Sequence, residues 1–310
     1  PDASVFFMSE NMSIMYFPAR MLTCALLASA LPVMAHAADI TGAGSSFAAP
    51  IYGAWGAEAR SAAGVNLNYQ TVGSSAGQNQ ILAGTVDFGA SDVPMDAQKL
   101  ENAHLFQFPT VMGGIVPVIN LPGIAANQIQ LDGPTLAALY RGEIEQWNDK
   151  RIAALNPGVK LPDTAVATVH RADGSGTTAV FTGYLARVSP EWREGQGAGA
   201  SIAWPGGIGA RGNDGVAASV RNTEGAIGYV ALSYLINNTS VSTVAIDNVE
   251  PSLENTYNGT YKVWGYEHMY TKGEPEGAVK AFLDYMQSEE YGNSVETLGY
   301  NVTSKMKATK

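Results

Sequence analysis

Cysteine is close to absent: among 310 residues only Cys24 occurs, so no intramolecular disulfide can form and the cysteine-built metal scaffolds are excluded. Cations are scarce as well, with 18 Lys and Arg against 28 Asp and Glu and a formal net charge of -10. No cluster of basic residues is present to displace counterions from a phosphate backbone, which excludes nucleic acid as a partner. The same acidity sets a condition on any anionic ligand: the global field repels it, so local donors and dipoles must hold it. The sequence has no H-E-x-x-H, no Walker motif and no paired cysteines, so neither a metal nor another cofactor is expected. It also lacks an internal repeat at a period of about 20–50 residues.

Long apolar runs are missing with one exception. From Met12 the chain passes through Arg20 into the apolar stretch Met21–Met34, broken by Pro32 and followed by Ala35-His36-Ala37. This is the layout of a secretory leader with an A-x-A cleavage site, and cleavage is expected after Ala37. The stretch is too short for a membrane span of about 20 residues. The residues before Met12, which open on proline, read as upstream sequence. Cys24 lies inside the leader; a lipid anchor there is the alternative, against which stand the poor lead-in Met21-Leu22-Thr23 and the little apolar sequence before it. Removing residues 1–37 takes away Arg20, Asp2 and Glu10 and leaves the exported chain acidic.

The chain does have apolar content for one large or two modest cores, at 46% hydrophobic and 15% charged residues. Short apolar runs bounded by Gly, Pro, Asn and Asp alternate with segments of helical spacing, which predicts an α/β architecture. Val65–Val72 alternates like a strand, and Gly113–Asn120 reads as a buried one carrying Pro117. Helices are predicted over Ile51–Ala62, Gln78–Ala83, Pro134–Arg141, Ala179–Arg187, Gly215–Arg221 and Glu276–Glu289. Val279, Phe282, Leu283 and Met286 give the last of these an i, i+3, i+4, i+7 apolar face.

Three segments place small donors and glycines just ahead of a helical run: Thr41–Phe47 (TGAGSSF), Gly73–Gly77 (GSSAG) and Arg171–Thr178 (RADGSGTT). A helix start leaves backbone N–H groups unpaired and carries partial positive charge, so it binds oxyanions without net cationic charge. Each segment alone is equally an ordinary N-cap; the case rests on all three. Asp92, in VDFGASDVP, faces the same choice between a loop cap and a functional group. Near neutral pH phosphate keeps a proton that it can donate to a carboxylate, whereas sulfate has none and is repelled. On that reading Asp92 selects the anion.

The chain from Asp39 to Gly228 resembles the periplasmic phosphate-binding proteins of high-affinity phosphate ABC transporters. The matching blocks include TGAGSSFAAPIY, YQTVGSSAG, VDFGASDVP, LFQFPTVMGGIVPVIN, LDGPTLAALYRGEIEQWND, RADGSGTTAVFTGYL and GNDGVAASVRNTEGAIGYV. The resemblance implies an α/β fold of the two-lobed, class II venus-flytrap type with ligand between the lobes. Residues 38–112 and 262–310 would form lobe one and residues 113–261 lobe two, with crossings near Thr110–Gly114 and Tyr261–Trp264. It implies inorganic phosphate cradled by Ser45, Ser46, Phe47, Ser74, Asp92, Arg171, Ser175, Gly176 and Thr177, with Asp173 pairing Arg171 and tempering its charge. Ser46 stands where many members have Thr, which keeps the hydroxyl. It further implies a periplasmic location and a transmembrane permease of a phosphate ABC transporter as partner. After Gly228 the chain departs from the longer members, which puts the docking surface rather than the pocket in doubt.

Other readings stay open at this point. The cradle suits arsenate as well as phosphate, and a secreted phosphatase or an extracellular surface protein fits an exported chain. Gly73–Gly77 matches the hydrolase pattern G-x-S-x-G, for which His104, His170 or His268 would have to serve as base, but no Asp–His order supports a triad. Gly207–Gly212 matches G-x-G-x-x-G, yet follows Trp204-Pro205 with no clean strand ahead of it, and reads as a loop.

Overall fold

The structure is a computed structural model that describes residues 37–236, 241–288 and 294–306. The leader assigned to residues 1–37, with Cys24, lies outside the described residues except for its last position, as does Glu289 at the end of the last predicted helix. The strands are β1 (Ala38–Gly44), β2 (Val65–Thr71), β3 (Phe88–Ser91), β4 (Leu105–Ile119), β5 (Gln130–Leu131), β6 (Ala167–Arg171), β7 (Ile208–Ala210), β8 (Ala226–Ala231), β9 (Ser242–Thr243), β10 (Ala245–Ile246) and β11 (Trp264–Lys272). The helices are α1 (Ala49–Ala63), α2 (Ser74–Ala83), α3 (Ala97–Ala103), α4 (Gly133–Tyr140), α5 (Lys150–Leu155), α6 (Gly176–Val188), α7 (Pro190–Gly195), α8 (Gly212–Asn222), α9 (Leu253–Tyr257) and α10 (Gly277–Met286).

The main sheet runs in the order β2-β1-β3-β11-β4-β8-β6-β7, with β9 also on β4. β1 pairs parallel with β2 and β3, and β6 parallel with β7 and β8; β11 and β4 run antiparallel to their neighbours. Two antiparallel strands, β11 and β4, join the two parallel groups. β4 lies against β11 as far as Gly114, opposite Trp264, and from Ile115 onward against β8. The sequence predicted only its second part, Gly113–Asn120. The first part alternates poorly and is half solvated, and its partner β11 lies far along the chain, so tertiary pairing makes it a strand.

Each group has its own aromatic packing. Around β1–β3, Tyr52 of α1 and Phe282 of α10 close on Phe88, with ring centroids 5.5 and 6.1 Å away. Beside β6–β8, Phe181 stacks on Tyr229 at 4.2 Å, flanked by Tyr140. The apolar stripe of α1 explains its seat: Ile51, Tyr52, Trp55 and Ala59 are buried on one face. In α10 Phe282, Leu283 and Met286 are buried as predicted, while Val279 packs at the margin.

The predicted helices exist, but three of them start well before the sequence reading placed them, while α10 starts one residue after its predicted Glu276. α2 begins at Ser74 instead of Gln78, α6 at Gly176 instead of Ala179, and α8 at Gly212 instead of Gly215. Each first turn is built from Ser, Thr, Gly and Asn, residues of low helix propensity, and carries no apolar periodicity. Gly207–Gly212 is also corrected: Ile208–Ala210 is a short strand parallel to β6, and Gly212, with φ +70°, turns directly into α8. Three residues paired to a strand forty positions upstream leave no local signature. Helices α3, α5, α7 and α9 are short and were not predicted.

Candidate functional site

The ends of β1 and β3 meet the starts of α1, α2, α6 and α8. Ser45, Ser46 and Phe47 follow β1 and lead into α1; Ser74 opens α2; Asp92 follows β3; Ser175 caps α6, with Gly176 and Thr177 in its first turn. All of these, and Arg171 at the end of β6, are buried. Buried polar side chains in this number need partners, and here they partner one another across the two strand groups. Ser45 Oγ donates to Asp92 Oδ1 in a close contact, and Thr177 Oγ1 donates to Oδ2 at 3.0 Å. The Asp92 amide donates to Ser74 Oγ at 3.4 Å, and the Thr178 amide to Ser175 Oγ at 3.1 Å. Phe47 packs edge-on against Tyr300 at 5.5 Å and donates its amide to Ser45 Oγ at 3.0 Å. Asp92 is therefore not a loop cap; its carboxylate is the acceptor at the centre of the cluster.

Glycine sets how closely the two sides approach. A Cβ on Gly176 would stand 2.6 Å from Asp92 Cβ and 2.7 Å from Ser74 Oγ. Gly73, at φ +93°, would carry a Cβ 2.6 Å from Asp173 Oδ2.

Arg171 is held in a two-point ion pair: Nε donates to Asp173 Oδ1 at 2.7 Å, and Nη2 donates to Oδ2 in a closer contact. Partial burial pushes the Asp173 carboxyl up, but the Arg171 hydrogen bonds and charge, with the Gly212 amide at 3.2 Å, outweigh it and hold the group below its ordinary range. The planar guanidinium keeps Nη1 for a second acceptor. The Arg171 amide donates to the Tyr229 hydroxyl at 3.1 Å, and burial raises that phenol to about 12.

The structure adds residues that the sequence reading missed. Asn213, fully buried in the first turn of α8, donates from its amide and from Nδ2 to Ser46 Oγ at 3.0 and 2.9 Å, and from Nδ2 to Thr177 Oγ1 at 3.2 Å. Its Oδ1 accepts from the Ala231 amide at 2.9 Å. Arg-Gly-Asn-Asp-Gly before a helix is the same signal that picked out the other three segments; the loop reading of Gly207–Gly212 concealed it. Tyr234 donates its hydroxyl to the Ser46 carbonyl at 2.6 Å. Glu267 of β11 is fully buried beside Asp92.

The hydrolase match places its serine elsewhere. Ser75 donates its amide to the Gly174 carbonyl at 3.1 Å. His170 stacks on Trp204 at 4.8 Å, His268 Nδ1 lies 3.3 Å from the Ser91 carbonyl, and His104 ends α3 in a left-handed turn. Among the described residues, no three His, Cys, Asp or Glu side chains are arranged to hold a metal ion.

Two parallel strand groups joined by the antiparallel pair β11 and β4, with polar groups from both converging on one buried carboxylate, define an α/β binding protein of the clamp type. The family model for the PBP superfamily domain matches residues 32–290. The chain is 48% identical over 239 residues to the phosphate-binding protein PstS of Pasteurella multocida, covering 76% of this chain and 70% of that one. It is 46% identical over 225 residues to PstS of Haemophilus influenzae, covering 71% and 67%. It is 48% identical to PstS of Xylella fastidiosa (strain Temecula1), where it spans 60% of the relative's length. The chain thus belongs to the PBP superfamily and, within it, to the PstS phosphate-binding protein family. Among solved structures the fold is similar to a candidate phosphate ABC transporter substrate-binding protein from Clostridium perfringens with bound phosphate (TM-score 0.71, 24% identity, 85% of this chain and 98% of that one). It is similar also to an ABC-type phosphate transport receptor from Vibrio cholerae (TM-score 0.62, 20% identity, 85% and 99%).

Proposed function

We propose that this chain binds inorganic phosphate in the periplasm and delivers it, chemically unchanged, to the transmembrane permease of an ABC importer. The observation that carries the reading is the Asp92 carboxylate, buried and approached by hydroxyls from both strand groups, Ser45 from one and Thr177 from the other. Residues 38–112 and 262–310 form one lobe and residues 113–261 the second, so ligand binding is completed when the lobes come together. Hydrogen phosphate entering the cluster donates a hydrogen bond from its P–O–H to the Asp92 carboxylate, keeping the proton, and takes over the hydroxyl donors of Ser45 and Thr177. Ser46, Phe47, Ser74, Ser175 and Gly176 present further hydroxyl or helix-start donors, and Arg171, tempered by Asp173, supplies the counter-charge. A charge-assisted hydrogen bond of this kind contributes about 1.5–3 kcal/mol. Sulfate brings no proton, and its oxygens meet the carboxylate directly. The PstS names of relatives 46–48% identical support the phosphate assignment and its transport setting.

Calorimetric titration of the phosphate-stripped protein tests this directly. A one-to-one phosphate isotherm with no sulfate heat near neutral pH is the expected result; a folded, stripped sample that gives no phosphate heat overturns the reading.

A further inference from the structure

Behind Asp92 stands a second carboxyl. Glu267 is fully buried, and neither of its oxygens accepts from a donor in hydrogen-bond geometry, which leaves Asp92 as the acceptor within its reach. Its position follows from strand register. On one side β11 pairs antiparallel with β3, His268 opposite Ser91 and Met269 opposite Ala90. Continuing that register by one residue sets Glu267 opposite Asp92. Directly opposed residues in an antiparallel pair have Cβ atoms about 5 Å apart. On the other side the β4 ladder is irregular: Tyr266 faces Met112 but His268 faces Pro109, so Thr110 and Val111 together oppose Glu267. Such a bulge re-aims the side chains beside it and is common next to functional sites. The groups acting on the Glu267 carboxyl are Asp92, the Ser45 hydroxyl and the Ser91 backbone, all at the candidate site.

Two ionised carboxylates in that position, desolvated and opposed, repel each other strongly, and one proton between them removes the conflict. Among the described residues the titratable groups seen to act with Glu267 are acids: Asp92 after β3, and the phenols of Tyr52 on α1, Tyr69 on β2, Tyr270 on β11 and Tyr300 after α10. Burial first, then the Asp92 charge, drives the Glu267 carboxyl far above its ordinary range.

We propose that Glu267 is the proton-holding partner of Asp92, a neutral carboxylic acid that donates to the Asp92 carboxylate from behind and keeps it an acceptor for hydrogen phosphate. Glu267 touches no ligand; it is a positioning residue, and the proposal rests on the phosphate reading given above. With the proton on Glu267, Asp92 stays charged and fixed in orientation, which is the condition for accepting a hydrogen bond from hydrogen phosphate and rejecting sulfate. Ionisation of Glu267 at high pH doubles the negative charge beside the anion and weakens binding, while hydrogen phosphate itself keeps its proton.

Two measurements on Glu267→Gln and Glu267→Leu test this. Infrared difference spectra of the ligand-free protein near neutral pH should show the carbonyl stretch of a neutral carboxylic acid in the wild type and its loss in Glu267→Gln. Phosphate titration should show Glu267→Leu weakened about tenfold or more, the cost of losing one charge-assisted donor, with most of the affinity restored in Glu267→Gln. The wild-type affinity should carry an alkaline fall that is absent from the Glu267→Gln profile, the part due to phosphate's own protonation being common to both. Absence of the infrared band overturns the inference whatever phosphate does. A band without any phosphate binding overturns the phosphate reading, and the selective role of Glu267 with it. A band with identical pH profiles in wild type and Glu267→Gln shows a buried acid with no bearing on the site and also overturns it.

Discussion

At the scale of single residues, the proposed function makes Asp92 the main source of specificity, because its carboxylate accepts from Ser45 and Thr177. In Asp92→Asn the amide offers a donor to any oxyanion and no charge to repel one. Phosphate affinity should fall by about 10- to 100-fold, the range of a lost charge-assisted hydrogen bond, while sulfate binding becomes measurable by the same titration. Unchanged discrimination would remove Asp92 from the selective role. Most of the buried polar cluster was legible in the sequence at this scale, since Ser45, Ser74, Arg171 and Thr177 sit in donor-rich segments with a family likeness. Asn213 and Glu267 were not. Asn213 lay in a segment read as loop, and Glu267 lies in YEHMY, a stretch whose only local meaning is a strand; nothing nearby shows that it is opposed to Asp92.

At the scale of elements, the starts of α2 and α6 meet through glycine. Gly176→Ala places a Cβ within 2.6–2.7 Å of Asp92 and Ser74, groups on the opposite side of the cluster. Overpacking of this kind costs about 1–3 kcal/mol, equivalent to about 5- to 150-fold in affinity. If the two sides part when ligand leaves, the strain falls on the bound form alone. Phosphate affinity should then drop while the melting temperature of the stripped protein stays close to wild type; a large drop in that temperature would show a contact held permanently within one packed unit. The late helix starts have the same origin. Ser, Thr, Gly and Asn open these helices because they present donors to the site, and those residues carry weak helix signals.

For the whole molecule, two carboxyls at the site act on stability in opposite senses. Glu267 in the folded protein holds its proton far above the ordinary value of 4.5, while the unfolded chain releases it there. The native state therefore binds the extra proton above about pH 4.5, and stability is lost as pH rises, by up to about 1.4 kcal/mol per pH unit. The Asp173 carboxyl, held low mainly by Arg171 against the effect of its burial, contributes stability at neutral pH that is lost as pH falls. Glu267→Gln should remove the first slope only. In urea unfolding at about pH 5, 6.5 and 8 the variant should gain on the wild type as pH rises; parallel curves would contradict a buried neutral Glu267.

Composition, periodicity and local motifs by themselves determined that this is an acidic α/β chain with a single cysteine and three donor-rich helix starts, and they singled out Asp92. Those features depend on residues close together in the chain. Only the tertiary structure decided which strands share β4, where the helices begin, and that Asn213 closes on Ser46 and Glu267 stands against Asp92. The reason is physical: β4 and β11 are paired across about half the chain, and a contact made by register at that separation leaves no trace in the neighbouring sequence.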